Sequence, residues 1–150
     1  MAAKDYCLRK PVTVDPATSL LAAAQIMKRE SVGCLVVTEY GRPVGLVTDR
    51  DIALEVLGRK RDSAVSVREV MHQPVETIEA EASLERAVMR FRTQRLRRLP
   101  VVDAAGTVVG LLAIDDLLRL LATELGELSE VVRRQLEYSP ASLTPVGDAK

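Results

Sequence analysis

Gly-Leu-Val-Thr-Asp-Arg-Asp-Ile, residues 45–52, reads as a strand that turns into a helix without a loop. Val44, Leu46 and Val47 form the end of an apolar strand, Thr48 stands at the turn, and Asp51 falls in the first helical turn. A strand running straight into a helix leaves free backbone N–H groups there, which suits an anion. Thr48 adds a hydroxyl donor, Arg50 a nearby cation and Asp49 a second carboxylate. The carboxylate of Asp51 can accept from both hydroxyls of a ribose. A plainer role is open to the same residues: Thr48 caps the helix, and Asp51 favours its dipole. At a helix start Asp51 is expected to be exposed, so the fold should not depend on it heavily.

Working back from that stretch, Pro43–Val47 is the second arm of a hairpin. Glu39–Arg42 is its turn, and Cys34–Thr38 its buried first arm. Ser19 suits an N-cap, and Leu20, Ala23, Ala24 and Met27 recur at helical spacing to about Arg29. Pro11–Pro16 is extended, held out of helix by its prolines. Residues 3–10 are a lead-in with Tyr6 and Leu8 as anchors. Working forward, a helix runs from Asp49 to about Leu57, and Gly58–Ser63 is a polar linker without periodicity.

The pattern then starts again. Ser66-Val-Arg-Glu69 has the signature of a capping box opening a short helix that ends near Met71. Pro74–Ile78 is extended, and Ser83 caps a helix with apolar positions Leu84, Ala87, Val88 and Phe91. Leu99–Asp103 and Thr107–Leu112 form a hairpin turning at Ala104–Gly106. A helix opens at Asp115. Leu20 and Leu84 stand 64 positions apart, as do Met27 and Phe91. After one extra residue in the second turn, Gly45 and Gly110 stand 65 apart, as do Asp51 and Asp116. One such unit cannot bury both faces of its small sheet, but two together can.

The ordered set resembles a tandem pair of cystathionine-β-synthase (CBS) domains. The first copy supplies Val12-Thr-Val-Asp-Pro16, Ser19-Leu20, Val32–Val37 and Gly45–Ile52. The second supplies Val75-Glu-Thr-Ile78, Ser83-Leu84, Arg97–Asp103 and Gly110–Leu117. The resemblance implies an α+β fold of two β-α-β-β-α repeats packed with pseudo-twofold symmetry, to which a C-terminal helix is added. The expected bounds are 3–58 for the first copy, 59–65 for a linker, 66–121 for the second copy and 122–138 for the C-terminal helix. Residues 139–150, which lack periodicity, are expected to be a disordered tail.

The resemblance further implies clefts that bind adenosine-containing ligands such as AMP, ADP, ATP or S-adenosylmethionine. Thr48 would reach phosphate and Asp51 would hold ribose. Only the carboxylate role passes to Asp116, because Ala113 stands where the threonine would be. Val12, Val14 and Pro16, with Gly33, Cys34 and Leu35, would line the adenine slot of the first site. Ile78, Arg97, Arg98 and Leu99 would line the second. Apart from the resemblance, Asp49, Asp51, Asp115 and Asp116 are candidates for a Mg²⁺ site formed through ligand phosphates, with a helix-start role as the alternative for Asp49. The expected function is a ligand-sensing module, not an enzyme, that signals to a protein target in trans. Such pairs associate through helical faces, so a homodimer is expected.

The two clefts are expected to be unequal. Thr48 is matched by Ala113 and Arg50 by Asp115, so the first turn is the better phosphate site.

Composition narrows the alternatives. The 150 residues carry 21 basic and 21 acidic side chains, which argues against a dedicated nucleic-acid binder. No apolar run approaches the roughly 18 residues that span a bilayer, and the N-terminus lacks the apolar core of a signal peptide. A cytoplasmic location is therefore expected. Cys7 and Cys34 lack metal-ligand spacing and should be reduced. With no Trp and one Phe, the core must be aliphatic. Arg90, Arg92, Arg95, Arg97 and Arg98 read as a solvated helix face and strand entry, with a nucleic-acid patch as the alternative. His72, the only histidine, reads as a surface residue in a turn. Leu117, Leu118, Leu121, Leu125, Leu128, Val132 and Leu136 continue at helical spacing, with a break or bend expected near Gly126. They serve either internal packing or self-association. A dimerisation scaffold with vestigial clefts is the remaining alternative.

Overall fold

The computed structural model describes residues 1–94 and 97–137. Arg95, at the centre of the arginine run, and the tail at 139–150 lie outside the described residues. The element order is β1 (Thr13–Val14), α1 (Leu20–Glu30), β2 (Cys34–Glu39), β3 (Arg42–Thr48) and α2 (Asp49–Ala53), then β4 (Ile78–Glu79), α3 (Leu84–Gln94), β5 (Arg98–Val102), β6 (Val108–Ala113) and α4 (Ile114–Glu137). Each repeat builds one three-stranded sheet, ordered β1-β2-β3 and β4-β5-β6. In each, the first pair is parallel and the second antiparallel. The ladders slip at matched places, between Val37 and Thr38 and between Val101 and Val102. The α+β pair of repeats read from the sequence is therefore the fold.

Local chemistry accounts for the elements. Ser19 Oγ accepts from the Ala22 N–H at 3.1 Å, and Ser83 Oγ from the Arg86 N–H at 3.3 Å, so both helices are capped as expected. Tyr40 and Gly41, with φ of 51° and 77°, make the two-residue hairpin between β2 and β3. The longer second turn is held by Asp103 Oδ1, which accepts from the N–H groups of Ala105 and Thr107.

The first repeat's core contains Val14, Leu20, Ala23, Met27, Leu35, Val37, Val47 and Ile52. It also contains Val67 and Met71, which follow the linker. The lead-in of each copy thus packs on the other copy. Val67 and Arg68 donate N–H groups to the carbonyls of Thr18 and Pro16. Ala3 and Lys4 donate theirs to Ala82 and Ala80. These are the same bonds, shifted by the repeat length. Gly45 and Gly110 complete the exchange. A Cβ on Gly45 would lie 2.5 Å from Met71 Sδ, and one on Gly110 would lie 2.6 Å from Cys7 Sγ.

Four local expectations are corrected. Leu8 is exposed, while Tyr6 is buried and anchors the lead-in. Ser66–Glu69 forms no capping box, because Glu69 is drawn to Arg61 at 3.1 Å and the turn is a 3-10 turn over Val67–Glu69. The helix from Asp49 changes after Ala53 into a π-helical turn, Leu54–Gly58, closed by the Arg59 N–H on the Leu54 carbonyl. Residues 114–137 form one helix that runs through Gly126 without a break; no Cβ at Gly126 would meet a neighbour.

The chain divides into a compact body, Met1–Leu117, and a second unit from Leu118 that carries the rest of α4. On that part Leu125, Leu128, Val132 and Leu136 are exposed. No helix among the described residues is long and apolar enough to cross a membrane.

Candidate ligand site

β3 delivers Thr48 to the start of α2, and a reciprocal box forms there. Asp51 N–H donates to Thr48 Oγ1 at 3.2 Å, and Thr48 N–H donates to Asp51 Oδ2 at 2.8 Å. The plainer role open to these residues is thus realised. Two expectations are corrected with it. Asp51 is only 18 % exposed at its side chain, so the fold does use it. The backbone N–H groups at the turn are not free, either. Asp49 N–H is taken by the Gly33 carbonyl at 3.1 Å, Arg50 N–H by Asp49 Oδ1 at 2.8 Å, and Asp51 N–H by Thr48. What remains for a ligand is the Thr48 hydroxyl hydrogen and the outer face of the Asp51 carboxylate.

That carboxylate already has a second partner. His72 Nε2 lies 2.9 Å from Asp51 Oδ1. His72 follows the 3-10 turn of the second copy, and its backbone is paired with Leu46 of β3 through bonds of 2.8 and 3.2 Å. His72 lines a small cavity together with Leu46, Glu76 and Arg98. Arg98 belongs to β5, so the first site draws on both repeats. Reading the sequence for local motifs missed His72. The available signal was that, at the repeat spacing, a histidine replaces Leu8 beside the better-equipped turn.

The other expected site residues separate. Arg97 and Arg98, expected together in the second site, part where β5 begins: Arg97 precedes the strand and Arg98 opens it. Arg97 reaches Asp115 with two bonds of 3.1 Å, while Arg98 lines the cavity beside His72. Asp115 therefore does not present an unscreened negative charge at the second turn. Asp116 is half-buried in the first turn of α4. Asp49 and Gly33 line an apolar groove instead of the Asp51 cleft; the two carboxylates lie on different faces of α2. Arg50 is exposed. Val14, Pro16, Leu35, Ile78 and Leu99 are buried in the core, so they can offer a ligand only main-chain groups. Val12 is half-buried, and its carbonyl is taken by the Val36 N–H. Among the described residues, no group of three or more His, Cys, Asp or Glu is placed to hold a metal ion. Within the arginine run, Arg90 pairs with Glu76 at 2.9 Å and Arg97 with Asp115.

Cys34 is buried at the start of β2. Burial pushes its thiol up from the ordinary 9.0 to about 11, against the opposing pull of Arg98. Cys7, half-buried against Gly110, is likewise pushed up to about 11, chiefly by burial. A thiol with a raised folded pKa favours the folded state below the unfolded value. Between pH 9 and 11 the unfolded chain holds fewer protons, so stability falls as pH rises. Both thiols should thus react slowly with a thiol reagent at pH 8 until the chain is unfolded. Fast labelling of Cys34 in the folded chain would contradict its burial.

The chain belongs to the CBS domain family, whose model matches residues 3–58 and again 67–123. It is similar to a CBS domain-containing protein of Bacillus subtilis, YhcV, with 38% identity over 76% of this chain and 81% of that one. It is also similar to the CBS domain pair of protein MJ0100, solved in complex with 5′-methylthioadenosine and S-adenosyl-L-methionine. There the TM-score is 0.71 with 25% identity, over 81% of this chain and 99% of that chain. A hexameric CBS-CP12 protein from bloom-forming cyanobacteria matches with a TM-score of 0.68 and 26% identity, over 79% of this chain and 69% of that one.

Proposed function

We propose that the chain is a ligand-sensing regulatory module, not an enzyme, that binds an adenosine-containing ligand in its first cleft and signals to a protein target in trans. The observation that carries this reading is the Asp51 carboxylate, held beside Thr48 at the strand-to-helix turn and faced by His72 from the second copy. The likeness to a CBS pair that holds adenosine ligands supports it. In this reading Asp51 accepts from the ribose hydroxyls, and Thr48 and Arg98 serve a phosphate. Any Mg²⁺ arrives with the nucleotide. The first cleft remains the better phosphate site, because Thr48 keeps a donor that Ala113 lacks.

The test is a thermal-shift screen of AMP, ADP, ATP, S-adenosylmethionine and 5′-methylthioadenosine. A ligand of the folded state at 100 times its Kd adds about 2.7 kcal/mol, which raises the melting point by on the order of 5–10 °C. No shift with any of the five would sink the reading.

The same module is proposed to be a homodimer. α1 and α2 leave an apolar groove of about 540 Å³, lined by Leu21, Ala24, Met27, Ile52, Val56 and Leu57 among others. Leu57 at its rim is 77% exposed, a surface of the kind that marks an interface. Light scattering should report twice 16.4 kDa, and Leu57→Asp should shift the chain toward the monomer. A monomeric wild type at high micromolar concentration would contradict the proposal.

A further inference from the structure

We propose that His72 is a built-in occupant of the first cleft: its imidazole holds the Asp51 carboxylate in the free chain and must release it before a ribose can be held there. The proposal rests on the reading that this cleft takes an adenosine ligand, and adds how access to it is controlled.

Three observations carry it. Both carboxylate oxygens are engaged, Oδ2 by the Thr48 N–H and Oδ1 by His72 Nε2. An ionised carboxylate only accepts, so Nε2 carries the hydrogen of that bond. A ribose diol offers hydroxyl hydrogens to the same oxygens and competes with the ring.

His72 also borders two cavities. One, of about 60 Å³, it shares with Leu46, Glu76 and Arg98. The other, of about 430 Å³, it shares with Asp51, Glu55 and Arg59. The smaller space is far below the roughly 300–1,000 Å³ of a small-molecule site. Moving the imidazole frees the Asp51 oxygen it holds.

Finally, the ring can move without the chain. The His72 backbone is fixed to Leu46 by two hydrogen bonds, whereas its side chain is 69% exposed. Rotation about the side-chain bonds costs one hydrogen bond to the carboxylate and leaves the sheet edge intact. The second copy has no such device, since Leu8 occupies the matching position and has no group to offer Asp116.

A plug that is closed nine-tenths of the time weakens the apparent affinity about tenfold. The experiment uses the full chain and two probes, AMP and S-adenosylmethionine, titrated by calorimetry into wild type, His72→Ala and His72→Gln. The imidazole signal is followed by NMR in parallel; His72 is the only histidine, so its ring needs no further assignment. His72→Ala should bind a probe about tenfold more tightly. His72→Gln, which keeps a donor, should return toward wild type. Asp51→Asn without ligand should move the ring signal, and so should saturation with the probe. If wild type binds a probe but His72→Ala binds it equally or more weakly, the plug is wrong and the adenosine site stands. If no chain binds either probe while Asp51→Asn still moves the ring, the adenosine reading fails and the plug falls with it. A ring signal indifferent to Asp51→Asn overturns the pairing itself.

Discussion

Asp51→Ala is expected to lose more than tenfold in affinity for the adenosine ligand and, in the same chain, about 1 kcal/mol of stability. The first loss follows from the charge. A hydrogen bond from a ribose hydroxyl to a carboxylate is worth roughly 1.5–3 kcal/mol, and tenfold corresponds to about 1.4 kcal/mol. The second follows from the box at the turn, where Asp51 Oδ2 accepts from the Thr48 N–H at 2.8 Å. Alanine leaves that N–H without its partner at a half-buried position. Asp51→Asn separates the two effects. Its amide oxygen can still accept from Thr48, so most of the stability should return, while the charge that strengthens the ribose contact does not. Calorimetry and denaturant melts on the two variants read the affinity and the stability. Undiminished affinity in both variants would remove Asp51 from the site.

Met71→Ala is expected to cost about 2–5 kcal/mol, the usual range for emptying a buried methionine site. That is a large share of the 5–15 kcal/mol available to a domain. Met71 is 7% exposed and lies in the first repeat's core, although it follows the linker. Its thioether fills the space that Gly45 leaves open. Because each lead-in closes the other copy's sheet, the body from Met1 to Leu117 should unfold as one unit. Met71→Ala should therefore lower a single melting transition rather than detach one repeat. Two separated transitions in the variant, with one at the wild-type temperature, would show that the repeats are not interlocked.

The repeat and its elements were legible in the sequence because the signals are local. Apolar spacing, Ser19 and Ser83 as caps, and the glycine turns at Gly41 and Gly106 each act within a few residues. The exchange of lead-ins was not legible. The repeat spacing makes Val67 the counterpart of Ala3, but it does not say whose core either one enters. That is decided by distant bonds such as Val67 to Thr18. The same limit explains the turn at Thr48. An apparently free N–H at Asp49 is occupied by the Gly33 carbonyl, which arrives from the start of the facing strand. Glu69 had the spacing for a capping box, yet a linker arginine outbids the serine backbone for it. The candidate site was half legible. Thr48 and Asp51 stood out by type and position. His72 did not, and Arg98 was legible only as a residue of the second cleft, because both come from the other repeat.

The central claim is that the ligand's ribose is held by Asp51 in the first cleft. The structure of the full chain crystallised with the tightest ligand from the thermal-shift screen tests it most directly. The ribose hydroxyls should lie within hydrogen-bond distance of both Asp51 oxygens, with the His72 ring turned away. A ribose held instead on Asp116 in the second cleft, with His72 still on Asp51, would contradict the account.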